Sequence, residues 1–344
     1  MIFHTSHARI TRRMIMATSR YCSRVVLTLF ALTVLFATAK AADPGIPPAP
    51  PTAVSDQKAG SILFYPFYSS SSTDPASDSR IAVTNSSTTN FAFVHIFLVS
   101  AASCSVADFF SCFTPAQTTY FLTSMMDPGT SGYIVMIAVN GINGCPEKFN
   151  HLIGDGFVKL ASGLHGNYGA EAIAAIADPP AVCDDTAGAA LIQFDGINYE
   201  LVPKVLALDS VPSIGDGYNT RIWVARTGGN LFASGGSVGP LFGVLYNDAE
   251  QGLSFSINNP GCIVTFAVND TDVRTAPRPS IHIPANSAGW IRFWTLSPGG
   301  IFGFAASAKA GLADVPDAFA GGRNLHKLRL TTDAYLMPIF PPTC

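Results

Sequence analysis

Short, mostly apolar runs bounded by turn residues recur along the chain, which is the pattern of β-strands joined by turns. Strands predicted in this way include Ser61–Tyr68, Arg80–Asn85, Arg221–Ala225 and Leu241–Tyr246. In Phe91–Val99 both alternating sets are apolar, so we expect this strand to lie centrally, with a layer on each face. The chain is therefore predicted to be mainly β.

Two stretches, Pro115–Val139 and Pro284–Ala308, share one layout. Each contains a strand, a turn with Pro-Gly and a second apolar strand, and the turns are Asp127-Pro128-Gly129 and Ser297-Pro298-Gly299. Proline and glycine supply the backbone angles that tight turns require. The repeat predicts a duplicated β-sandwich in which these two stretches are equivalent.

Asp127, Gly129 and Tyr133 resemble the tyrosine corner of immunoglobulin-like sandwiches, where a tyrosine hydroxyl bonds back to the chain. The resemblance is partial, because no cysteine follows Tyr133 at a spacing of two residues. Together with the repeat, it predicts two tandem immunoglobulin-like β-sandwich domains, at residues 59–140 and 206–344.

Residues 141–205 break the strand pattern and are predicted to form a small mixed α/β segment between the sandwiches. Within them, Ala170–Ala177 is rich in alanine and is predicted as a short helix, which Pro179 and Pro180 would end. Such elaborations carry function in some proteins and serve as inter-domain packing in others.

The N-terminus is typical of a secretory signal peptide, predicted at residues 1–41. Five arginines precede the apolar run Val25–Ala37, and Ala39-Lys40-Ala41 offers small residues for cleavage. A membrane anchor is the alternative, but the 13 residues of the run fall short of the roughly 20 that a spanning helix needs. Residues 42–58 contain five prolines, which favours an extended linker. We therefore expect a secreted protein, extracellular or periplasmic, with no transmembrane segment in its mature chain.

Charge limits the expected partners. Hydrophobic residues make up 48% of the chain and charged residues only 12%. Removal of residues 1–41 leaves 14 basic and 23 acidic residues, a net charge of −9. Phosphate backbones and anionic lipid surfaces repel an acidic chain that has no basic cluster. Nucleic acid is thus an unfavourable partner, and we expect an extracellular or envelope protein or glycan, or a homo-oligomer.

The predicted mature chain contains six cysteines, an even number that predicts three disulfides in an oxidising compartment, although 15 pairings are open. The expected pairs are Cys104–Cys112, Cys145–Cys183 and Cys262–Cys344. Zinc binding is the alternative, but the chain has no Cys-x-x-Cys and no cysteine beside a histidine. We therefore predict neither a metal site nor a cofactor.

Three features suggest chemistry, and each also has a structural explanation. His95 lies among phenylalanines and is either a general base or metal ligand, or a core-edge histidine bonded to a backbone carbonyl. No second ligand lies two residues away, which favours the core. Asp184 and Asp185 belong to an acidic group in residues 141–205, with Asp155, His165 and Glu171. Paired carboxylates serve glycoside hydrolysis or calcium binding, but the spacing matches no calcium loop and indicates a solvated surface.

Ser237 is the centre of Gly235-Gly236-Ser237-Val238-Gly239, which matches the Gly-x-Ser-x-Gly pattern of a hydrolase nucleophile elbow. That elbow requires a strand before the serine and a helix after it. Here Pro240 and an apolar strand follow, so a flexible turn is the simpler interpretation, and the downstream His282 and His326 carry no triad signature. 

Trp290, Trp294 and Tyr120 could form an aromatic platform for a glycan. All three occupy predicted strands, where packing in a core is the commoner use of a large aromatic side chain. The sequence therefore predicts these rings in the core.

The chain resembles a group of uncharacterised secreted bacterial proteins over roughly Gly60–Cys344. The motifs that carry the resemblance are Asp127-Pro128-Gly129-x-x-Gly132-Tyr133-Ile134, Asn150-His151-Leu152-Ile153-Gly154-Asp155, and Asn324–Leu330 with Phe340-Pro341-Pro342-x-Cys344. They are structural in character, and the group has no assigned activity. The resemblance implies export from a bacterium and no site residue.

The sequence thus favours a structural or adhesive binding protein over an enzyme. The alternative is a secreted hydrolase that uses Ser237 or the acidic residues of the middle segment. Alanine at Ser237, or at Asp184 and Asp185, would abolish hydrolysis but leave adhesion unchanged. A carrier of a small ligand or metal is a third class.

Overall fold

The structure, a computed structural model, describes residues 53–71, 77–258, 261–309 and 320–344. The predicted signal peptide and most of the predicted linker lie outside these residues. The described ranges contain 23 β-strands and two helices of four residues, α1 (Thr123–Met126) and α2 (Pro279–His282). A mainly β fold is thereby confirmed. None of the described helices has the length and hydropathy to span a membrane.

The first strand set comprises β1 to β9. These are β1 (Ile62–Ser69), β2 (Asp78–Asn85), β3 (Ala92–Ser100), β4 (Val106–Phe113), β5 (Thr118–Leu122), β6 (Ser131–Val139), β7 (Leu152–Lys159), β8 (His165–Gly169) and β9 (Glu171–Ile173). Sheet I has the order β4-β3-β6-β1-β9, and sheet II has the order β5-β2-β7-β8. All pairings within the two sheets are antiparallel.

The second strand set follows a pair of strands, β10 (Ala181–Asp184) and β11 (Ala189–Phe194). Its members are β12 (Val202–Pro212), β13 (Tyr218–Arg226), β16 (Leu241–Tyr246), β17 (Gly252–Ile257), β18 (Ile263–Ala267), β19 (Ala288–Thr295), β20 (Ile301–Lys309), β21 (Gly321–Asn324) and β22 (His326–Thr331). Sheet III has the order β17-β16-β19-β12-β22, and sheet IV has the order β18-β13-β20-β21.

The two strand sets have the same topology. When β1, β2 and β3 to β9 are matched in chain order with β12, β13 and β16 to β22, sheet I reproduces the order of sheet III. Sheet II reproduces the order of sheet IV in the same way. A strand order repeated over nine strands is the pattern that a duplication leaves.

The equivalence expected between Pro115–Val139 and Pro284–Ala308 is wrong by one strand. Pro115–Val139 contains β5 and β6, whereas Pro284–Ala308 contains β19 and β20, which match β6 and β7. The two stretches look alike because each crosses from one sheet to the other of its set. A Pro-Gly turn suits both crossings, so the turn alone does not identify the strand.

Sheet V contains the remaining strands: β10, β11, β14 (Gly229–Asn230), β15 (Ser234–Gly235) and β23 (Asp333–Pro338). Its order is β10-β11-β23-β14-β15, with a parallel pairing between β14 and β23. Ile192, Phe194 and Tyr335 of this sheet belong to the same buried cluster as sheets I and II. 

The central strands of sheet I, β1, β3 and β6, are buried on both faces. Neighbouring residues of β1 point to opposite faces, and Tyr65 donates a hydrogen bond to the Ala82 carbonyl of sheet II at 2.8 Å. Phe64, on the other face, packs against Phe302 of sheet IV with ring centroids 4.8 Å apart. β3 lies between β4 and β6, and all its residues except Phe93 are buried. The expected central position of this strand is confirmed.

A second buried cluster lies between sheets III and IV. Sheet III contributes Leu245, Ile291 and Phe293, and sheet IV contributes Ile222 and Phe266, among others. The two faces of apolar side chains pack against each other as in a β-sandwich.

The predicted helix at Ala170–Ala177 is wrong. Residues Glu171–Ile173 form β9, which pairs with β1 so that Ile173 lies opposite Ile62. Alanine has a high helix propensity, but the edge of sheet I offers backbone partners and buries the side chains, which outweighs that preference. Residues 141–205 contain strands and no helix, and β7, β8 and β9 of the first set lie among them.

The end of the predicted linker is packed against the fold. Val54 is buried, and Ser55 forms an antiparallel bridge with Ala172 of β9. The chain is therefore fixed to the edge of sheet I before β1 begins.

The tyrosine corner expected at Tyr133 is also wrong. The Tyr133 side chain is buried in sheet I, and within the described part of the chain its hydroxyl makes no hydrogen bond to the backbone. Tyr68, on neighbouring β1, instead donates to the Asp127 carboxylate at 2.5 Å. The turn is thus fixed by a tyrosine from another strand.

Three disulfides are present: Cys104–Cys262, Cys112–Cys344 and Cys145–Cys183. The expected pair Cys145–Cys183 is confirmed, and the expected pairs Cys104–Cys112 and Cys262–Cys344 are wrong. Two of the bonds join the first strand set to residues far along the chain, with sequence separations of 158 and 232. Three bonded pairs are consistent with an oxidising compartment.

Candidate functional site

Large aromatic side chains lie on the outward face of sheet III. In β19 the side chains alternate, so Ile291 and Phe293 are buried in the core while Trp290 and Trp294 are half-buried on the other face. In β16 Leu241 and Leu245 point inward, and Phe242, Val244 and Tyr246 share the outward face with the tryptophans. The backbone period of two thus presents one side of each strand to solvent.

The outward aromatic rings are arranged in two cross-strand pairs. Tyr246 and Trp290 stack with ring centroids 4.4 Å apart and an interplanar angle of 8°. Phe242 and Trp294 are 5.1 Å apart and tilted by 52°. Arg292 lies between the pairs, with its guanidinium carbon 5.7 Å from the centroid of the Trp294 ring. We call these five side chains the aromatic ridge; mutual stacking restricts their rotamers.

Small side chains lie beside the ridge. On the β17 side, Ser254 and Ser256 are exposed. On the β12 side, Val205 and Ala207 lie opposite Trp294 and Arg292. Neither flank is as tall as the ridge, so a depression runs along each side of it.

The depression over β12 has a second wall. Arg329 and His326 of β22 lie opposite Val205 and Ala207, and both are exposed. Strands are about 4.8 Å apart, so β19 and β22 stand roughly 10 Å from each other across β12. We call this depression the β12 channel. Its floor is Val205 and Ala207 beside Trp294 and Arg292, and the bulge at Asp209 and Ser210 beside Trp290. One wall is formed by Trp290 and Trp294, and the other by His326 and Arg329.

One carboxylate accompanies the basic side chains of this face. Asp209 follows the floor of the channel and pairs with Arg323 at 2.8 Å and with His326 at 3.7 Å. Arg292 and Arg329 add two further positive charges. The region is therefore locally basic, in contrast to the acidic chain as a whole.

The expectation that the three aromatic residues pack in the core is wrong. Trp290 and Trp294 lie on the outward face, and Tyr120 of β5 is 70% exposed. Tyr120 belongs to sheet II and so does not join the ridge. Sequence analysis missed Phe242, Tyr246 and Arg292, although the period of two in β16 and β19 places them on the same face as the tryptophans.

Two buried ion pairs lie where the strand sets meet. Glu171 of β9 is 2.7 Å from the Lys327 amine of β22, and Glu200 accepts a hydrogen bond from Lys58. Burial raises the pKa of Glu171 to about 7, against the opposing effect of Lys327. Burial also raises the pKa of Glu200 and lowers that of Lys58, although their hydrogen bond opposes both changes. The pairs join the linker end, β9 and β22.

His95 is buried in sheet I, but its partner is a carboxylate and not the expected backbone carbonyl. Its Nε2 lies 2.7 Å from the Asp108 carboxylate, and its ring lies between Phe97 and Phe110 at 4.0 and 4.2 Å. Burial lowers the pKa of His95, and Asp108 opposes the change. A neutral imidazole packed among phenylalanines stabilises the sheet.

The surroundings of Ser237 differ from those of a nucleophile elbow. Ser237 lies between β15 and β16, so a strand follows it where the elbow needs a helix. Its hydroxyl accepts a hydrogen bond from the Gly239 amide at 3.2 Å, within the turn. His282 Nε2 lies 3.2 Å from the Leu245 carbonyl, and His326 lies beside Asp209.

The acidic residues of 141–205 are distributed over different sheets. Asp155 is on β7 of sheet II, Glu171 on β9 of sheet I, and Asp184 at the end of β10 in sheet V. Asp184 accepts hydrogen bonds from the Thr186 and Ala187 amides at 2.9 and 3.0 Å, which fixes a turn beside Asp185. No group of three or more His, Cys, Asp or Glu side chains in the described ranges is placed to hold a metal ion.

No protein-family model matches the chain, and no curated protein matches it. The candidate site therefore rests on its own geometry, which singles out the aromatic ridge and the β12 channel.

Proposed function

We propose that this protein is a secreted or cell-envelope adhesive protein that binds its partner through the aromatic ridge of sheet III. In this proposal the two strand sets are tandem immunoglobulin-like sandwiches, and the first 41 residues direct export. The observation that carries the proposal is the outward position of Phe242, Tyr246, Trp290 and Trp294.

Burial of these rings against a partner would stabilise a complex. Each aromatic side chain offers a large apolar area, at roughly 25 cal/mol per Å² removed from water. Tryptophan, tyrosine and arginine are also the residues that dominate binding energy at interfaces. Because Tyr246 and Trp290 already stack, little rotamer entropy remains to be lost on binding.

The ridge costs the free protein little stability. Its rings are half-buried by one another, and their strand neighbours Ile291 and Phe293 supply the core contacts. An aromatic face that the core does not require is typical of an interaction surface. The hydrolase alternative gains no comparable support from the positions of Ser237, Asp184 and Asp185.

Attachment to envelope material tests the proposal. The mature protein with Trp290→Ala and Trp294→Ala should sediment with envelopes from its native cells at least tenfold more weakly than the unsubstituted protein. Tyr120→Ala is the matched control, since Tyr120 is an exposed strand aromatic on sheet II. Circular dichroism checks that the folds are unchanged.

Two results would contradict the proposal. One is attachment by the double variant that equals that of the unsubstituted protein. The other is a hydrolytic activity in a protein that shows no attachment to envelopes. This activity would be abolished by Ser237→Ala, or by Asp184→Ala together with Asp185→Ala. The second result would establish the hydrolase alternative.

A further inference from the structure

The stacking of Trp290 determines which of its ring faces is available. Trp290 and Tyr246 are cross-strand partners whose rings are nearly parallel, so each ring covers one face of the other. The uncovered face of Trp290 therefore points away from β16, over β12. It forms part of the wall of the β12 channel, with Trp294 four residues further along the same strand.

The length of this wall indicates an extended ligand. Four strand residues span about 13–14 Å, which is too far for one sugar ring to contact both Trp290 and Trp294. A ligand that uses both must repeat its apolar surface along its length. The floor of the channel between its two walls consists of the small side chains of Val205, which is half-buried, and Ala207, which is 5% exposed, so a ligand would lie above them and against the walls.

The opposite wall indicates the charge of the ligand. Across β12, Arg329 lies opposite Trp294 and His326 lies opposite Arg292, which stands between the two aromatic pairs. Arginine binds carboxylates through two parallel hydrogen bonds. A chain that passes along this channel thus meets aromatic rings and the Arg292 guanidinium on one side, and Arg329 and His326 on the other.

We propose that the β12 channel binds an acidic polysaccharide, whose sugar rings pack on Trp290 and Trp294 while its carboxylates bond to Arg329 and Arg292. This inference rests on the adhesive function proposed above. A uronic acid polymer meets each requirement, because every ring has an apolar C–H face and a carboxylate at its edge. A single strand of nucleic acid also combines flat rings with negative charge, and its binding is one of the outcomes that the test distinguishes.

The test compares polygalacturonate with the same polymer after reduction of its carboxylates to alcohols. Calorimetry on the full mature protein should show binding to polygalacturonate that weakens at least tenfold on carboxylate reduction. Arg329→Ala should weaken binding to polygalacturonate at least fivefold and leave binding to the reduced polymer unchanged. Trp290→Ala should weaken binding to both.

Arg80→Ala is the matched control, because Arg80 is an exposed strand arginine on sheet II. It should leave both affinities unchanged. Equal loss from Arg80→Ala and Arg329→Ala would mean that general charge, and not the channel, attracts the polymer, and would overturn the inference.

Other outcomes distinguish a failure of the acidic polysaccharide as ligand from a failure of the proposed adhesive function. Absence of polygalacturonate binding by protein that still attaches to envelopes through Trp290 and Trp294 would overturn the acidic polysaccharide and retain the adhesive function. If the protein bound single-stranded DNA more tightly than polygalacturonate, and this binding depended on Arg329, the acidic polysaccharide would also be overturned as the ligand. If the unsubstituted protein neither attached to envelopes nor bound polygalacturonate, the adhesive function itself would be overturned.

Discussion

Glu171 and Lys327 form an ion pair between two edge strands, β9 of sheet I and β22 of sheet III. The Glu171 side chain is 1% exposed, so its ionised form loses nearly all its hydration. Lys327 compensates only in part, and the pKa of Glu171 remains raised to about 7. The contact between the strand sets is therefore sensitive to protons near neutral pH.

Substitution of Glu171 by glutamine should reduce the pH dependence of stability. A carboxyl with a raised pKa favours the folded state while it is neutral. This contribution of the neutral Glu171 carboxyl to the free energy of unfolding is complete below about pH 4.5 and is lost as the pH rises through about 7. The unsubstituted protein should thus lose up to roughly 3 kcal/mol of unfolding free energy over this range, relative to Glu171→Gln. Denaturant titration at pH 4.5 and pH 8 measures the difference.

Asp248→Asn is the control for this experiment, because Asp248 is an exposed carboxylate far from β9 in sequence. It should show the same pH dependence as the unsubstituted protein. If Glu171→Gln retained the full pH dependence, burial of Glu171 would not be its source.

At the scale of the element, β19 presents one face to the core and the other to the aromatic ridge. Phe293 is fully buried between sheets III and IV, whereas its neighbour Trp294 is half-buried on the ridge. Phe293→Ala should lower the free energy of unfolding by about 3–5 kcal/mol, as is usual for a buried phenylalanine. Trp294→Ala should cost less than half as much. Urea unfolding of the two variants measures the contrast, and equal losses would contradict the assigned faces.

The same strand shows what the sequence could predict. The period of two assigns Trp290, Arg292 and Trp294 to one face of β19 and Ile291 and Phe293 to the other. Because both faces carry large apolar side chains, the pattern does not indicate which of them is covered. That choice depends on where sheet IV packs, and the packing is a tertiary property.

The helix predicted at Ala170–Ala177 failed for a related reason. Local propensity favours a helix there, but β1 and Ser55 offer backbone partners from more than 100 residues earlier. Strand boundaries elsewhere followed the sequence closely, as in the predicted Leu241–Tyr246 and the observed β16. Local patterns thus located most strands, while partners distant in sequence decided their faces and pairings.

At the scale of the whole molecule, two disulfides join the first strand set to later parts of the chain. Cys104 and Cys112 flank or belong to β4 of the first set, and their partners are Cys262, just before β18, and Cys344. The expected pairs Cys104–Cys112 and Cys262–Cys344 were wrong, because pairing depends on which chain segments the fold brings together. Sequence spacing carries little of that information.

Peptide mapping without reduction should recover the three observed pairs. Replacement of Cys112 and Cys344 by serine should lower the free energy of unfolding by about 2–5 kcal/mol, because a long loop in the unfolded chain is no longer closed. The single replacement of exposed Ser254 by alanine serves as the control. Recovery of a Cys104–Cys112 peptide would contradict the observed pairing.

The Cys104–Cys262 bond also determines how the protein would carry a mechanical load. Suppose that tension acts between Ala53 and a ligand held at Trp290. The shortest covalent path runs from residue 53 to Cys104, crosses the bond to Cys262, and continues to residue 290. Residues 105–261 lie outside that path, so they add nothing to the length that the loaded chain can reach. An adhesive protein built in this way would extend little under force, and reduction of the Cys104–Cys262 bond would allow residues 105–261 to extend as well.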